Sequence, residues 1–299
     1  MSWLILSILS ALFLGFYDLA KKAGVQENAV APVLFLSVLS GAMVWLPLLL
    51  WSQVSPDTFP WERLRVLPMT LKEHSWIFLK SALVSTAWIF NYFAVKHLPV
   101  SISSPIRATS PLWTILIAVA LLGERPTGTQ WIGVIVILGA FYAFTFVGKL
   151  EGIHFHKDRW VGFMVVATLL SSVSALYDKY LIQSIGMEPA TLQCWFSLYL
   201  AIILAPFCLA WKTGIIGTHT FQWRWIIPMI GICLLVADFL YFVALGKEGA
   251  LISVISPLRR CAVLVTFLGG ILALKEKNFR PKFACILILL TGVVILNKV

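Results

Sequence analysis

The stretch Leu98-Pro-Val-Ser-Ile-Ser-Ser-Pro-Ile-Arg107, with the apolar run that follows it to Leu122, decides the fold. After it come Gly123-Glu-Arg-Pro126 and a second apolar run through Gly139. In mechanical terms these are two hydrophobic helices joined by a tight polar turn, the first carrying Pro105 and Arg107 near its start. A near copy stands 152 residues later, where Ser256-Pro257-Leu258-Arg259 repeats Ser104-Pro105-Ile106-Arg107. At the same offset Lys275-Glu276-Lys277 falls on Gly123-Glu124-Arg125. Two matches at one offset, one near a helix start and one at the turn that ends that helix, read as an internal duplication.

Composition sets the class. The chain has 299 residues, 60% of them hydrophobic and 12% charged, with a mean hydropathy of +0.92. A soluble domain could not keep that much apolar surface from water, so the expectation is an all-α polytopic membrane protein. A helix of about 20 apolar residues spans a bilayer, and the chain has room for about ten. The net charge of +10 is placed on the flanks of the spans, not in a nucleic-acid surface. Cys194, Cys208, Cys233, Cys261 and Cys285 all lie in apolar runs without CxxC spacing, and read as small buried hydrophobes. The N-terminus lacks a basic segment before its apolar run, so it reads as the first span, not a cleaved signal.

Ten helices are expected at 3–23, 30–51, 75–96, 101–122, 128–147, 160–183, 190–211, 223–246, 250–273 and 281–297. Trp51, Trp61, Trp76, Trp160, Trp211, Trp223 and Trp225 fall near the ends, as an interfacial belt places them. The 54–74 connection reads either as an ordered loop or as a short surface helix with Phe59, Trp61, Leu64 and Leu67 inward. The halves 1–149 and 150–299 match helix for helix. Gly15-Phe-Tyr-Asp18 answers to Ala175-Leu-Tyr-Asp178, and Asn91-Tyr-Phe-Ala94 to Leu240-Tyr-Phe-Val243. Five helices per half is an odd number, so the second half enters the membrane from the opposite side. The result is two inverted repeats, a plan common among secondary transporters.

Ser104-Pro-Ile-Arg-Ala-Thr-Ser-Pro111, Leu121-Leu-Gly-Glu-Arg-Pro126 and Gln130-Trp-Ile-Gly133 resemble the EamA domain of the drug/metabolite transporter superfamily. The second copy is weaker, with Lys275-Glu276 in place of Gly-Glu and two extra residues before Pro281. The resemblance implies ten helices in inverted five-helix repeats, and transport of small metabolites by alternating access. It also implies both termini in the cytoplasm. The count of basic residues runs the other way: Arg63, Arg65, Lys72, Lys80, Arg125, Lys247 and Lys298 on the terminal side, against Lys21, Lys22, Lys96, Lys149, Lys157, Arg159, Lys212, Arg224, Lys275, Lys277, Arg280 and Lys282 on the other.

A charge at mid-bilayer costs roughly 2.5–3.5 kcal/mol or more, so intramembrane charges are candidates for function. Asp18 has Lys21 and Lys22 at pairing distance along its helix, and an interfacial salt bridge is the plain alternative. Asp178 has no such lysine and is its match in the other half. Asp238 sits mid-helix and must face the bundle interior. Arg107 and Arg259 lie about 10 Å inside their helices, while Arg260 could serve as a headgroup anchor. Tyr17, Asn91, Tyr92, Tyr177 and Tyr241 add hydrogen-bonding and stacking groups to the same helices, with packing as the plain alternative. Inversion predicts two matched pairs, Asp18 with Arg107 and Asp178 with Arg259, one toward each mouth of a cavity lined by helices 1, 3, 4, 6, 8 and 9.

No catalytic or metal constellation is visible; His154 and His156 lack a ligand cluster, and no P-loop occurs. The expectation is a non-enzymatic secondary exporter in the cell membrane. It would move an amino acid, an organic anion or another small polar or amphipathic metabolite, without cofactor or nucleic acid. An ion gradient, with a proton or cation coupling, or counter-exchange would drive it, in a monomer or homodimer. The rivals are an intramembrane lipid-modifying enzyme and a non-transporting scaffold.

Overall fold

The computed structural model describes residues 2–110, 112–113, 116–117, 127–149, 157–215, 220–248, 250, 255, 258–272 and 279–296. The quoted Gly123–Pro126 and Lys275–Lys277 turns, Ser256-Pro257, Glu151, His154 and His156 lie outside these residues.

Among the described residues the regular structure is helical. Ten α-helices follow in order: α1 (Trp3–Val25), α2 (Val30–Val54), α3 (Leu71–His97), α4 (Val100–Ala108), α5 (Gly128–Lys149), α6 (Arg159–Lys179), α7 (Pro189–Lys212), α8 (Ile226–Leu245), α9 (Ala262–Leu272) and α10 (Phe279–Leu296). Five of them, α1, α2, α3, α7 and α8, are long and apolar enough to cross a membrane, as is α6 with the π-helical turn Tyr180–Ser184 that continues it. The starts carry the expected chemistry. Ser2 caps α1, Asp158 accepts from the Trp160 amide at 2.8 Å to cap α6, and Thr70 with Glu73 forms a reciprocal capping box on α3. That box moves the start of α3 to Leu71, four residues before the expected boundary. Outward faces stay apolar: Leu4, Ile8, Leu12 and Phe16, one turn apart along α1, are all exposed, as lipid contact demands and water would penalise.

The connection between α2 and α3 contains no α-helix. It makes two 3₁₀ turns, Pro56–Thr58 and Glu62–Leu64. Phe59 is buried, but Trp61 and Leu67 face outward, so the surface-helix alternative is set aside. The chain is pinned instead by its backbone: the Val66 amide donates to Ser52 Oγ at 3.2 Å and the Leu67 amide to Thr191 Oγ1 at 2.9 Å.

The fourth and ninth expected helices are each interrupted. In the first, the Thr109 amide donates to Ile106 O at 3.2 Å and the Leu112 amide to Thr109 O at 2.9 Å. In the second, the Cys261 amide donates to Leu258 O at 3.1 Å and the Leu264 amide to Cys261 O at 3.0 Å. Both are tight i→i+3 turns set into α-helix, and every atom of the second lies 152 residues from its counterpart. The Ser172 hydroxyl donates to Ser110 O at 3.1 Å, which ties α6 to the chain just beyond the first break.

The helices pack across the halves. α1 lies on α8 and α9, α2 on α7 and α8, α3 on α6 and α7, α4 on α6 and α9, and α5 on α10. Glycine allows the closest of these approaches: a Cβ on Gly231 of α8 would stand 1.8 Å from the Ser37 carbonyl oxygen of α2.

Candidate functional site

A cavity of about 140 Å³ sits where α1, α3, α6 and α8 surround the two interrupted helices. Leu14 and Tyr17 reach it from α1, Lys80, Trp88 and Asn91 from α3, and Ser171, Ser174 and Asp178 from α6. Phe196 comes from α7, Asp238 and Tyr241 from α8, and Arg107, Arg259 and Arg260 from the residues just before the two breaks. A polar recess of this size, inside an apolar bundle, has room for several waters or a small polar solute.

Ion pairs organise its wall. Asp18 is buried and takes two partners, Lys21 at 3.0 Å and the Arg107 guanidinium. Lys21 reaches on to Asn91 Oδ1 at 2.8 Å, which ties α1 to α3. Lys80 meets Asp178 at 2.5 Å, joining α3 of the first half to α6 of the second. Arg259 donates to Asp238 at 2.7 Å. Aromatic faces cover the cations: Lys21 lies 4.4 Å from the Tyr17 ring centre, Lys80 4.1 Å from Phe196, and Arg259 4.2 Å from Tyr241. Each ring shields a desolvated charge while attracting it through its quadrupole.

The sequence expectations fare unevenly. Tyr17, Asn91, Arg107, Asp178, Asp238, Tyr241 and Arg259 share the cavity, and Asp18 lies directly behind Arg107. Asp238 faces the same space as Tyr241 and Asn91, as expected. Asp18 pairs with Arg107, but Asp178 does not pair with Arg259. The repeat alignment explains the exchange. Lys80 stands opposite Met229 and Asp238 opposite Ile89, so each is a charge without a counterpart, and each captures one member of the expected second pair.

Two residues on the candidate list lie elsewhere. Tyr92 is buried 3.1 Å from Ser37 Oγ, between α3 and α2. Tyr177 donates to the Trp76 carbonyl at 3.3 Å and stacks on Tyr180. Both read as packing contacts. Lys22 does not pair with Asp18; it caps α3, donating to Val95 O and Leu98 O at 2.9 Å.

Sequence reasoning missed Lys80, assigning it to a loop flank, although it lies inside the expected 75–96 helix with no acid three or four residues away. Lys21 and Lys282 were placed on a flank too, yet both are fully buried, Lys282 donating to Ser101 Oγ at 2.6 Å. Without Lys21, Lys80 and Lys282 the basic count still favours the same side.

The fold and site together define a multi-pass helical membrane protein with a charge-lined internal cavity. Residues 1–146 match the EamA-like transporter family, which belongs to the drug/metabolite transporter superfamily. A solved structure described as "Crystal structure of protein" is similar along almost its whole length. It is 14% identical, with a TM-score of 0.61, covering 96% of this chain and 94% of its own. That likeness speaks for the fold. No curated protein matches the chain.

Proposed function

We propose that the protein is a secondary active transporter, working as an exporter, that moves a small polar or amphipathic metabolite such as an amino acid or organic anion through this cavity. Residues 1–149 and 150–299 form inverted five-helix repeats, and the cavity opens to one side of the cell membrane at a time. The observation that carries the reading is the pair of matched breaks. Each interrupts a membrane helix beside the cavity, within two residues after an arginine that lines it. Discontinuous helices framing a polar site at the junction of two repeats are how secondary transporters build a binding site inside lipid.

The packing supports the repeat. Exchanging α1–α5 for α6–α10 turns α1 on α8 into α6 on α3, α1 on α9 into α6 on α4, and α2 on α8 into α7 on α3. All three are present, and α2 on α7, α4 on α9 and α5 on α10 map onto themselves. Asp178 and Asp238 are the carboxylates placed to carry a coupling proton or cation. An enzyme working on lipid would need a reactive cluster at a membrane face, and the charges here converge on the interior instead. The test is flux of labelled metabolites into proteoliposomes. Saturable, counter-exchangeable uptake, cut at least tenfold by Asp238→Asn in a folded protein, is the expected result. Uptake that matches protein-free vesicles for every metabolite class contradicts the reading.

A further inference from the structure

The charges around the cavity do not balance. Lys80, Arg107, Arg259 and Arg260 line it, against Asp178 and Asp238, an excess of two positive charges among the described residues. Asp18 and Lys21, one layer back, cancel each other and leave the excess unchanged. Three of the cavity cations have carboxylate partners. Arg260 has none among the described residues, and its buried Nε, like that of Arg259, meets no acceptor there. An unbalanced guanidinium in a bilayer interior is costly, and the cost is relieved by a counter-anion that enters the cavity. The wall also offers Ser171 and Ser174, hydroxyl groups suited to hold anionic oxygens once the guanidinium has drawn them in.

We propose that the cavity selects organic anions carrying two negative charges, and that Arg260 is the residue that anchors them. The proposal rests on the transporter reading for its biological setting and sharpens it by choosing among the substrates that reading admits. A zwitterion leaves the excess of two positive charges in place, and a cation adds to it. A dianion cancels it. Arg260 presents a planar fork that takes a carboxylate or phosphoryl group through two parallel hydrogen bonds, which a lysine cannot do. The paired cations then set the range of the site. Lys80 and Arg259 are neutralised by Asp178 and Asp238, so they hold the wall in shape, and the substrate meets Arg260 as its strongest open partner. Both dicarboxylates and phosphate monoesters carry this chemistry.

The test measures binding and movement separately. Thermal unfolding of the purified protein is followed against succinate, glycerol 3-phosphate, inorganic phosphate and alanine at matched ionic strength, and flux of the same solutes is measured in proteoliposomes. Succinate or glycerol 3-phosphate raises the unfolding temperature in a saturable way, and alanine does not. Whichever of the two acts more strongly identifies the anionic group. Arg260→Gln weakens that binding about tenfold or more, the loss expected for a charge-assisted hydrogen-bonded contact. Arg260→Lys, which keeps the charge and the fold, falls between, and Arg63→Gln on the exposed 54–74 connection changes nothing. Alanine binding as tightly as the dianions, or Arg260→Gln and Arg260→Lys both binding like the unaltered protein, overturns the proposal. Dianions that bind through Arg260 but never move would remove the transporter reading and leave the anion site. Alanine that moves saturably while no dianion binds would do the reverse.

Discussion

Lys80 shows how one side chain can fasten the two halves together. Its ammonium lies on α3, is 2% exposed, and meets Asp178 on α6 at 2.5 Å under the Phe196 ring. Removing one partner from such a pair strands the other charge in a medium that cannot solvate it, a loss of about 3–5 kcal/mol, whereas removing both leaves no stranded charge. Asp178→Asn should therefore destabilise the protein strongly in detergent unfolding, and Asp178→Asn combined with Lys80→Met should recover most of that loss. Equal instability of the single and double variants would show that the pair is not coupled. The same residue marks where sequence reading stops. Asp18 and Arg107 were legible as partners because the repeat singled out both, and Asp238 because it lies mid-helix. Asp178 and Arg259 were assigned to each other on symmetry, but side chains pair with whatever charge is nearest in space. Lys80 and Asp238, absent from the repeat pattern, were nearer.

At the scale of single elements, apolar runs gave the long helices to within a few residues, because a span in lipid must be continuous and apolar. The interruptions at Thr109 and Cys261 were not legible, although Ser-Pro-x-Arg was recognised as the motif that matters. Two i→i+3 bonds leave no hydropathy trace, and only the first break has a proline beside it. Glycine tells a similar story. A Cβ on Gly162 would meet nothing within 4 Å, while Gly231 of α8 is pressed against the α2 backbone. Gly231→Ala should cost about 1–3 kcal/mol, because the Ser37 carbonyl is backbone and cannot swing aside as a side chain could. Gly162→Ala, on an exposed helical turn, should be neutral or gain up to about 1 kcal/mol in helix propensity. Thermal unfolding of the two variants side by side checks both, and equal melting temperatures would contradict the packing described between α2 and α8.

Over the whole molecule, pseudo-symmetry and its breaking have different roles. Packing partners and helix breaks repeat between the halves, which suits a bundle that exchanges two mirrored shapes about one site. The charges do not repeat: Asp18 joins two elements within the first half, while Lys80 and Asp178 join the halves to each other. Under the proposed alternating access, opening toward one side would break different contacts from opening toward the other, and such a carrier would have a preferred resting state. The central claim is that one cavity is reached from both sides in turn. Ser171→Cys, placed on the cavity wall in a protein whose five native cysteines are replaced, tests it most directly with a membrane-impermeant maleimide in sealed vesicles of each orientation. Alternating access predicts labelling from both sides, with a saturating transported solute changing the two rates in opposite directions. Labelling from one side alone, with or without the solute, would contradict it and leave a one-sided pocket.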